Sequence, residues 1–194
     1  MNDSTHSLSR ERVLDAAERL FSQRGYSSVT LRDIAQDLDM KQASLYYHVK
    51  GKEELFVEVT ERSLQRHREG LREVMQNEAL NWQGQLHAVT HWLLSQPPMN
   101  VTRVIQSDMP EISKVHADQL MMSMYRAMLM PLEQIFMQAQ QETDLPLPHA
   151  GLLVGAFLSL IEGIRNAPTN EQYFSKDQAA DQIIEVLIRG LQSR

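Results

Sequence analysis

The chain has 194 residues, 42% of them hydrophobic, which allows one compact unit of ordinary size or a small head on a larger body. It contains no cysteine, so a disulfide framework and a thiolate metal site are excluded, and a reducing cytoplasm suits it. Nineteen Lys and Arg against 25 Asp and Glu give a net charge of −6, yet residues 1–56, with eight basic and nine acidic groups, carry only −1 of it.

The first residues, MNDSTHSLSR, lack the apolar run of a secretion signal. No uninterrupted apolar stretch approaches the roughly 18 residues of a membrane span, so the expected location is the cytoplasm and no membrane partner is expected. An amphipathic helix follows from Arg10 and ends at Phe21. Leu31, Ile34, Ala35 and Leu38 then recur at three and four residues and predict a helix of about two turns with one buried stripe. Thr30 stands where it caps the first free amides, with Asp33 as its capping-box partner. The stripe stops at Asp39-Met40, where Asp tolerates a left-handed backbone, and a second short helix restarts near Lys41 with Ala43 and Leu45 small or apolar.

Helix, tight turn and helix make a helix-turn-helix, whose second helix enters the major groove of double-stranded DNA. Its exposed face is expected to carry Gln42, Ser44, Tyr46, Tyr47 and His48, with Ala43 in the same DNA-facing segment. Gln42 can donate and accept together on an adenine edge. The tyrosine hydroxyls, the His48 imidazole and Lys52, near the first turn of the next helix, suit phosphate oxygens. A nearly neutral head must turn Arg32, Lys41, Lys50 and Lys52 toward DNA, and binding should weaken steeply with salt.

This segment, with RERVLDAAERLFSQRGYSSVT upstream, resembles the TetR family of bacterial transcriptional regulators over about a quarter of the chain. The matching pieces are the first helix to Phe21, the Arg24-Gly25-Tyr26 turn, Thr30, Ile34-Ala35, the run from Leu45 to His48, and Lys52 with Leu55. The resemblance implies that Arg32 and Gln42 touch base edges while Thr30, Ser44, Tyr46, Tyr47, His48 and Lys52 mostly touch the DNA backbone. Two positions depart from the family pattern: Asp39 stands where Gly is usual and Val49 where Phe is common. The fold implied is all-α, with an N-terminal three-helix helix-turn-helix domain at residues 9–56 joined to a helical ligand-binding and dimerisation domain at residues 57–194.

Beyond the head the pattern stays helical. A long helix from about Lys52 to Met75 joins head to body, and one near Trp82 to Leu94 ends at Pro97-Pro98. A short helix is expected at Val101 to Gln106, then a helical stretch from Glu111 to Gln141 that Pro131 should kink or divide. Two helices, about His149 to Arg165 and Lys176 to Leu191, close the chain.

The family resemblance implies a cavity for a small, apolar or amphipathic effector. Candidate lining residues are Trp92, Met121, Tyr125, Met128 and Phe157 within a methionine-rich stretch, with Arg103 and Gln106 for a polar end. A plain core serves the apolar residues as well, and a surface salt bridge serves Arg103 as well. The penultimate helix is apolar nearly all round, with Gly151, Gly155, Ala156, Ser159 and Gly163 allowing close approach. With Leu152, Leu158, Ile161, Ile183, Ile184, Leu187 and Leu191 it can build either a four-helix interface between two subunits or an internal core. The resemblance favours a homodimer, which presents two recognition helices to an inverted-repeat operator.

His87 and His91, four residues apart, share one helix face, a spacing compatible with a metal. Two ligands do not make a site, and only Asp108, Glu111 or His116 suggest a third, so no metal is assigned and the pair is read as partly exposed histidines. No catalytic motif is present, so no enzymatic role and no cofactor are expected. The reading is a DNA-binding regulator of TetR type, a repressor responsive to an effector. The alternative is a ligand-independent DNA-binding or protein-interaction module on the same head.

Overall fold

The computed structural model describes residues 2–143, 148–167 and 175–192. Every regular element among them is helical and none is a strand. The helices are α1 (Asn2–Arg24), α2 (Leu31–Asp37), α3 (Gln42–Leu45), α4 (Lys52–Met75), α5 (Trp82–Ser95), α6 (Val101–Arg103), α7 (Lys114–Met124), α8 (Met130–Thr143), α9 (Ala150–Asn166) and α10 (Lys176–Gln192). No described helix is long and apolar enough to cross a membrane.

The expected elements are present, with local differences that have physical causes. The turn of helix at Val101–Arg103 widens into a π turn at Val104–Asp108 and tightens again at Met109–Glu111, where Pro110 enters. The stretch carrying Pro131 is divided rather than kinked, because a π turn at Tyr125–Leu129 separates α7 from α8. Proline has no amide for the carbonyl four residues back, and widening the helix just before it removes the need for that bond. The second helix of the head is one turn long and continues as tight turns, with His48 donating its amide to the Leu45 carbonyl at 2.8 Å.

The chain folds as two compact units, Met1–Leu64 with Pro98–Ser123 and Gln65–Pro97 with Met124–Arg194. In the first, Val13, Ala17, Leu20 and Phe21 of α1, Ile34 of α2, Leu45 of α3 and Leu55 of α4 are buried. Phe21, Tyr26 and Phe56 form an aromatic cluster with centroids 5.0 to 6.1 Å apart. Gly25 closes α1 at φ +80, a left-handed end that glycine adopts without cost, and its amide returns to the Phe21 carbonyl at 2.9 Å.

Polar ties then fix that end of α1. Arg103 donates to the Phe21 and Ser22 carbonyls at 3.0 and 2.7 Å, and the buried Asp108 accepts the Tyr26 amide at 2.8 Å. The Arg103 bonds go to last-turn carbonyls of α1, and the Asp108 bond takes the amide of the residue that follows its glycine end.

The second unit is an apolar assembly in which α8 and α9, α5 and α10, and α5 and α8 pack together. Trp82, Leu86, Met124, Met128, Phe136 and Phe157 are fully buried, with Phe136 and Phe157 edge to face at 6.0 Å. Arg165 caps α5 as Arg103 caps α1, donating to the Leu93 and Gln96 carbonyls. Gly70 leaves room for Trp92, since a Cβ there would sit 2.0 Å from the indole, and that ring also meets His67 edge-on at 5.3 Å.

Candidate nucleic-acid interface

The helix-turn-helix is built by α2, the turn at Asp39-Met40 and α3. Asp39 takes the left-handed conformation at φ 52, alone among the described non-glycine residues, so the residue that departs from the family's usual Gly performs the glycine's backbone task. The Met40 amide reaches back to the Ala35 carbonyl at 2.9 Å and ends α2. At the other end Thr30 and Asp33 form the expected capping box: the Thr30 hydroxyl accepts the Asp33 amide at 3.2 Å, and Asp33 accepts the Thr30 amide at 2.7 Å. Those bonds from Thr30, chiefly its hydroxyl, hold the Asp33 carboxyl below the usual carboxylate range.

Around the buried Leu45 and Val49, the α3 segment turns its polar and aromatic residues outward. Gln42 and Ala43 are exposed, Ser44 and His48 half-buried, and Tyr46 and Tyr47 are 54% and 81% exposed. Arg32, Lys41 and Gln42 border one surface groove together with Asp39, so the two proposed base readers stand on the same groove. Lys52 is placed differently from a freely solvated anchor. Its ammonium lies 4.0 Å over the Tyr26 ring, and burial pulls its pKa below the ordinary lysine value against the opposing pull of Glu111, Asp108 and Asp33.

The first turn of α4 is latched to a segment far along the chain. Glu53 accepts the Ser113 amide at 2.9 Å and meets His116 Nδ1 at 2.5 Å, and hydrogen bonds from Ser113 and His116 lower its pKa to about 2. Sequence reading missed this latch, since its partners lie 60 and 63 residues downstream of Glu53 with no local motif to mark them.

The proposed effector residues are divided between the two units. Arg103, Gln106 and Met121 belong to the first unit and Trp92, Tyr125, Met128 and Phe157 to the second. Arg103 is engaged by backbone carbonyls, Gln106 is exposed, and Met128 and Phe157 are core. The methionine stretch itself splits, with Met124 buried and Met122, Met130 and Met137 exposed. A cavity in the first unit is bordered by Phe21, Phe56, Val59, Met99, Arg103 and Asp108. It encloses about 40 Å³, room for a few waters, whereas pockets for drug-sized ligands start near ~300 Å³.

The two helices proposed for dimerisation each have an open side. On α9, Leu152 is 67% exposed, Gly155 and Ser159 are exposed, and Gly151 and Leu158 are half-buried. On α10, Ile183 and Val186 are exposed and Leu187 is half-buried. A Cβ added at Gly155, Gly163 or Gly190 would meet nothing within 4 Å. Ile161, Ile184 and Leu191, read as possible interface residues, instead face the chain's own core, so each helix divides between a packed side and an open one.

The histidine pair acquires a partner that sequence reading did not offer. Asp181 Oδ1 lies 2.8 Å from His91 Nε2 and 3.3 Å from His87 Nδ1, and these bonds, that from His91 foremost, lower the Asp181 pKa. The three residues first considered belong to the first unit, where Asp108 holds Tyr26 and His116 holds Glu53.

Known proteins bear on this arrangement in two ways. Residues 13–59 match the family described as bacterial regulatory proteins, tetR family. Over 47 residues the chain is 45% identical to the biofilm operon icaADBC negative transcriptional regulator IcaR of Staphylococcus epidermidis and 43% identical to that of Staphylococcus aureus. The shared segment is 24% of this chain and spans about a quarter of the length of those relatives.

Likeness of fold extends much further. The crystal structure of AibR in complex with isovaleryl coenzyme A and operator DNA superposes with a TM-score of 0.73 at 20% identity, covering 91% of this chain and 96% of that one. A tetR-family regulatory protein from Rhodococcus RHA1 gives 0.72 at 19% identity, covering 95% and 97%. The ketosteroid regulator KstR2 of Mycobacterium tuberculosis gives 0.70 at 17%, covering 100% and 97%. The capping box, the left-handed turn and the exposed α3 face all lie within the segment that matches the tetR family of bacterial regulatory proteins.

Proposed function

We propose that the chain is a homodimeric transcriptional repressor that reads an inverted-repeat operator with residues 9–56 and senses a small, apolar or amphipathic effector with residues 57–194. The observation that carries the DNA reading is the outward face of α3, where Gln42, Tyr46 and Tyr47 stand exposed around a fully buried Leu45. A face with two large aromatics in solvent has no folding rationale, and it has the chemistry of a groove-reading surface. Gln42 and Arg32 address base edges, while Ser44, Tyr46, Tyr47, His48 and Lys52 address phosphates. Repression follows the IcaR relatives, which are negative regulators.

The dimer reading is supported by the open sides of α9 and α10. Leu152, Gly155, Ser159 and Gly163 form a stripe at three- and four-residue spacing, and Ile183, Val186, Leu187 and Gly190 repeat it. Small residues facing open space beside exposed Leu, Ile and Val allow the helices of two copies to approach closely. The effector reading is supported by AibR, a protein of the same fold that holds both isovaleryl coenzyme A and operator DNA. An effector reaching Met128 or Phe157 displaces core side chains, since both are buried. It shifts the DNA affinity only so far as it prefers one of two conformations, transmitted along α4, which runs from Lys52 beside the head to Met75.

The test is selection from a random duplex library at several salt concentrations, with wild type and Val186→Glu. The expected result is an inverted repeat for wild type and a weak half-site for the variant. Absence of enrichment with folded, effector-free protein overturns the sequence-reading role in the free state, and a half-site from wild type overturns the dimer.

A further inference from the structure

We propose that His87, His91 and Asp181 form a binding site for a divalent transition-metal ion, Zn²⁺ being the representative, which clips α10 to α5. His87 and His91 lie one turn apart on α5 and Asp181 comes from α10, so the donors belong to two packed helices. One donor atom from each residue falls within 4.8 Å of the other two. Zn²⁺ holds imidazole and carboxylate at about 2.0–2.2 Å, which separates tetrahedral ligand atoms by about 3.4 Å. The distances of 3.3 and 2.8 Å from the Asp181 oxygen to the two ring nitrogens are already of that size.

The donor set and its surroundings point the same way. Two imidazoles and one carboxylate suit Zn²⁺, Ni²⁺, Co²⁺ or Cu²⁺ rather than Mg²⁺ or Ca²⁺, which take oxygen ligands. His91 faces Asp181 through Nε2, and its other nitrogen, Nδ1, lies 3.7 Å from Asp177. A small approach of Asp177 would complete a carboxylate–histidine–metal arrangement, in which the outer carboxylate fixes the tautomer and leaves Nε2 free to ligate. His87, His91 and Asp181 are each about a third to a half exposed, so an ion has an open route and waters complete its shell. An ion there ties α10, whose other side carries Ile183 and Val186, to the core helix α5, and a bound ion favours the folded arrangement by mass action.

The experiment is calorimetric titration of Zn²⁺ into the untagged, chelator-treated full chain, with thermal unfolding and the visible spectrum of Co²⁺ as further readouts. One equivalent should bind, the unfolding midpoint should rise, and Co²⁺ should show the absorption of a low-coordinate site. His87→Gln, His91→Gln and Asp181→Asn should each lower affinity at least ten-fold, Asp177→Asn should lower it less, and His116→Gln should leave it unchanged. Absence of saturable one-equivalent binding in wild type overturns the proposal without reference to any variant. Unaltered affinity in the folded His91→Gln and Asp181→Asn chains overturns it as well.

Discussion

In the first unit the decisive contacts are directional: Arg103 on the last carbonyls of α1, Asp108 on the Tyr26 amide, Glu53 on Ser113 and His116, Thr30 and Asp33 on each other. The second unit relies on apolar area, with Trp82, Phe136 and Phe157 buried and the outer sides of α9 and α10 left open. A reading head has to present side chains to base edges with little angular tolerance, and hydrogen bonds supply angle. A packed body has to bury surface and, under the proposed dimer, keep one face for a second copy, and apolar contact supplies area without fixing angle.

The dependence of the second unit on apolar area is tested most strongly by Phe157→Ala. As a core residue with no exposure it should cost about 4 kcal/mol on truncation, read from urea unfolding. A cost under about 1 kcal/mol would mean that Phe157 lines open space, as the effector reading of the sequence has it. The matching test in the first unit is Asp108→Ala, which strands the Tyr26 amide and removes the carboxylate facing Arg103 at 3.5 Å. It should cost about 2 kcal/mol and weaken all DNA binding together by loosening the end of α1. A neutral result would show that the directional ties do not hold the head.

Within the head, Gln42→Ala should relax base preference by about 1 kcal/mol at one position of each half-site while leaving the salt dependence alone. Lys52→Ala should weaken every sequence alike and reduce the salt slope by about one per site contacted. Binding of the two variants to matched and mismatched duplexes across salt separates these outcomes. The placement of Lys52 over Tyr26 sharpens the expectation, because an ammonium held by a ring is already oriented and loses less freedom on meeting a phosphate.

The head was legible in the sequence because its determinants are local. The buried stripe of Leu31, Ile34 and Ala35, the Thr30–Asp33 cap and the left-handed Asp39 all act within a few residues of one another and appear where the spacing puts them. Leu38, expected in the stripe, stands half-buried at the helix end. Helix ends in the body were legible for the same reason, as with α4 from Lys52 to Met75. What escaped depends on long-range contact. Nothing near Arg103 marks it as the cap of α1, nothing near His91 points to a carboxylate 90 residues away, and apolar spacing cannot tell the buried Ile184 from the exposed Ile183. The methionines show the limit most plainly, since Met121 and Met124 belong to one helix yet one is exposed and the other fully buried.

The smallest expected effect concerns the Glu53 latch. Its pKa of about 2 lies below the ordinary carboxylate value of 4.5, so the folded state binds this proton less readily than the unfolded chain does. Stability from this source is therefore fully present above about pH 4.5 and is lost as pH falls through that window toward 2. Glu53→Gln keeps the shape and removes the charge, so wild type and variant should differ in unfolding midpoint near neutrality and converge toward pH 2. The side chain is 29% exposed, which screens the interaction and keeps the difference small. Amide exchange at Ser113 supplies the local readout: the latch predicts faster exchange in Glu53→Gln than in wild type at neutral pH and equal exchange at the acid end. A gap that persists unchanged at low pH would assign the stabilisation to packing around Glu53 rather than to its charge, and the first unit would then be less dependent on directional contacts than its geometry implies.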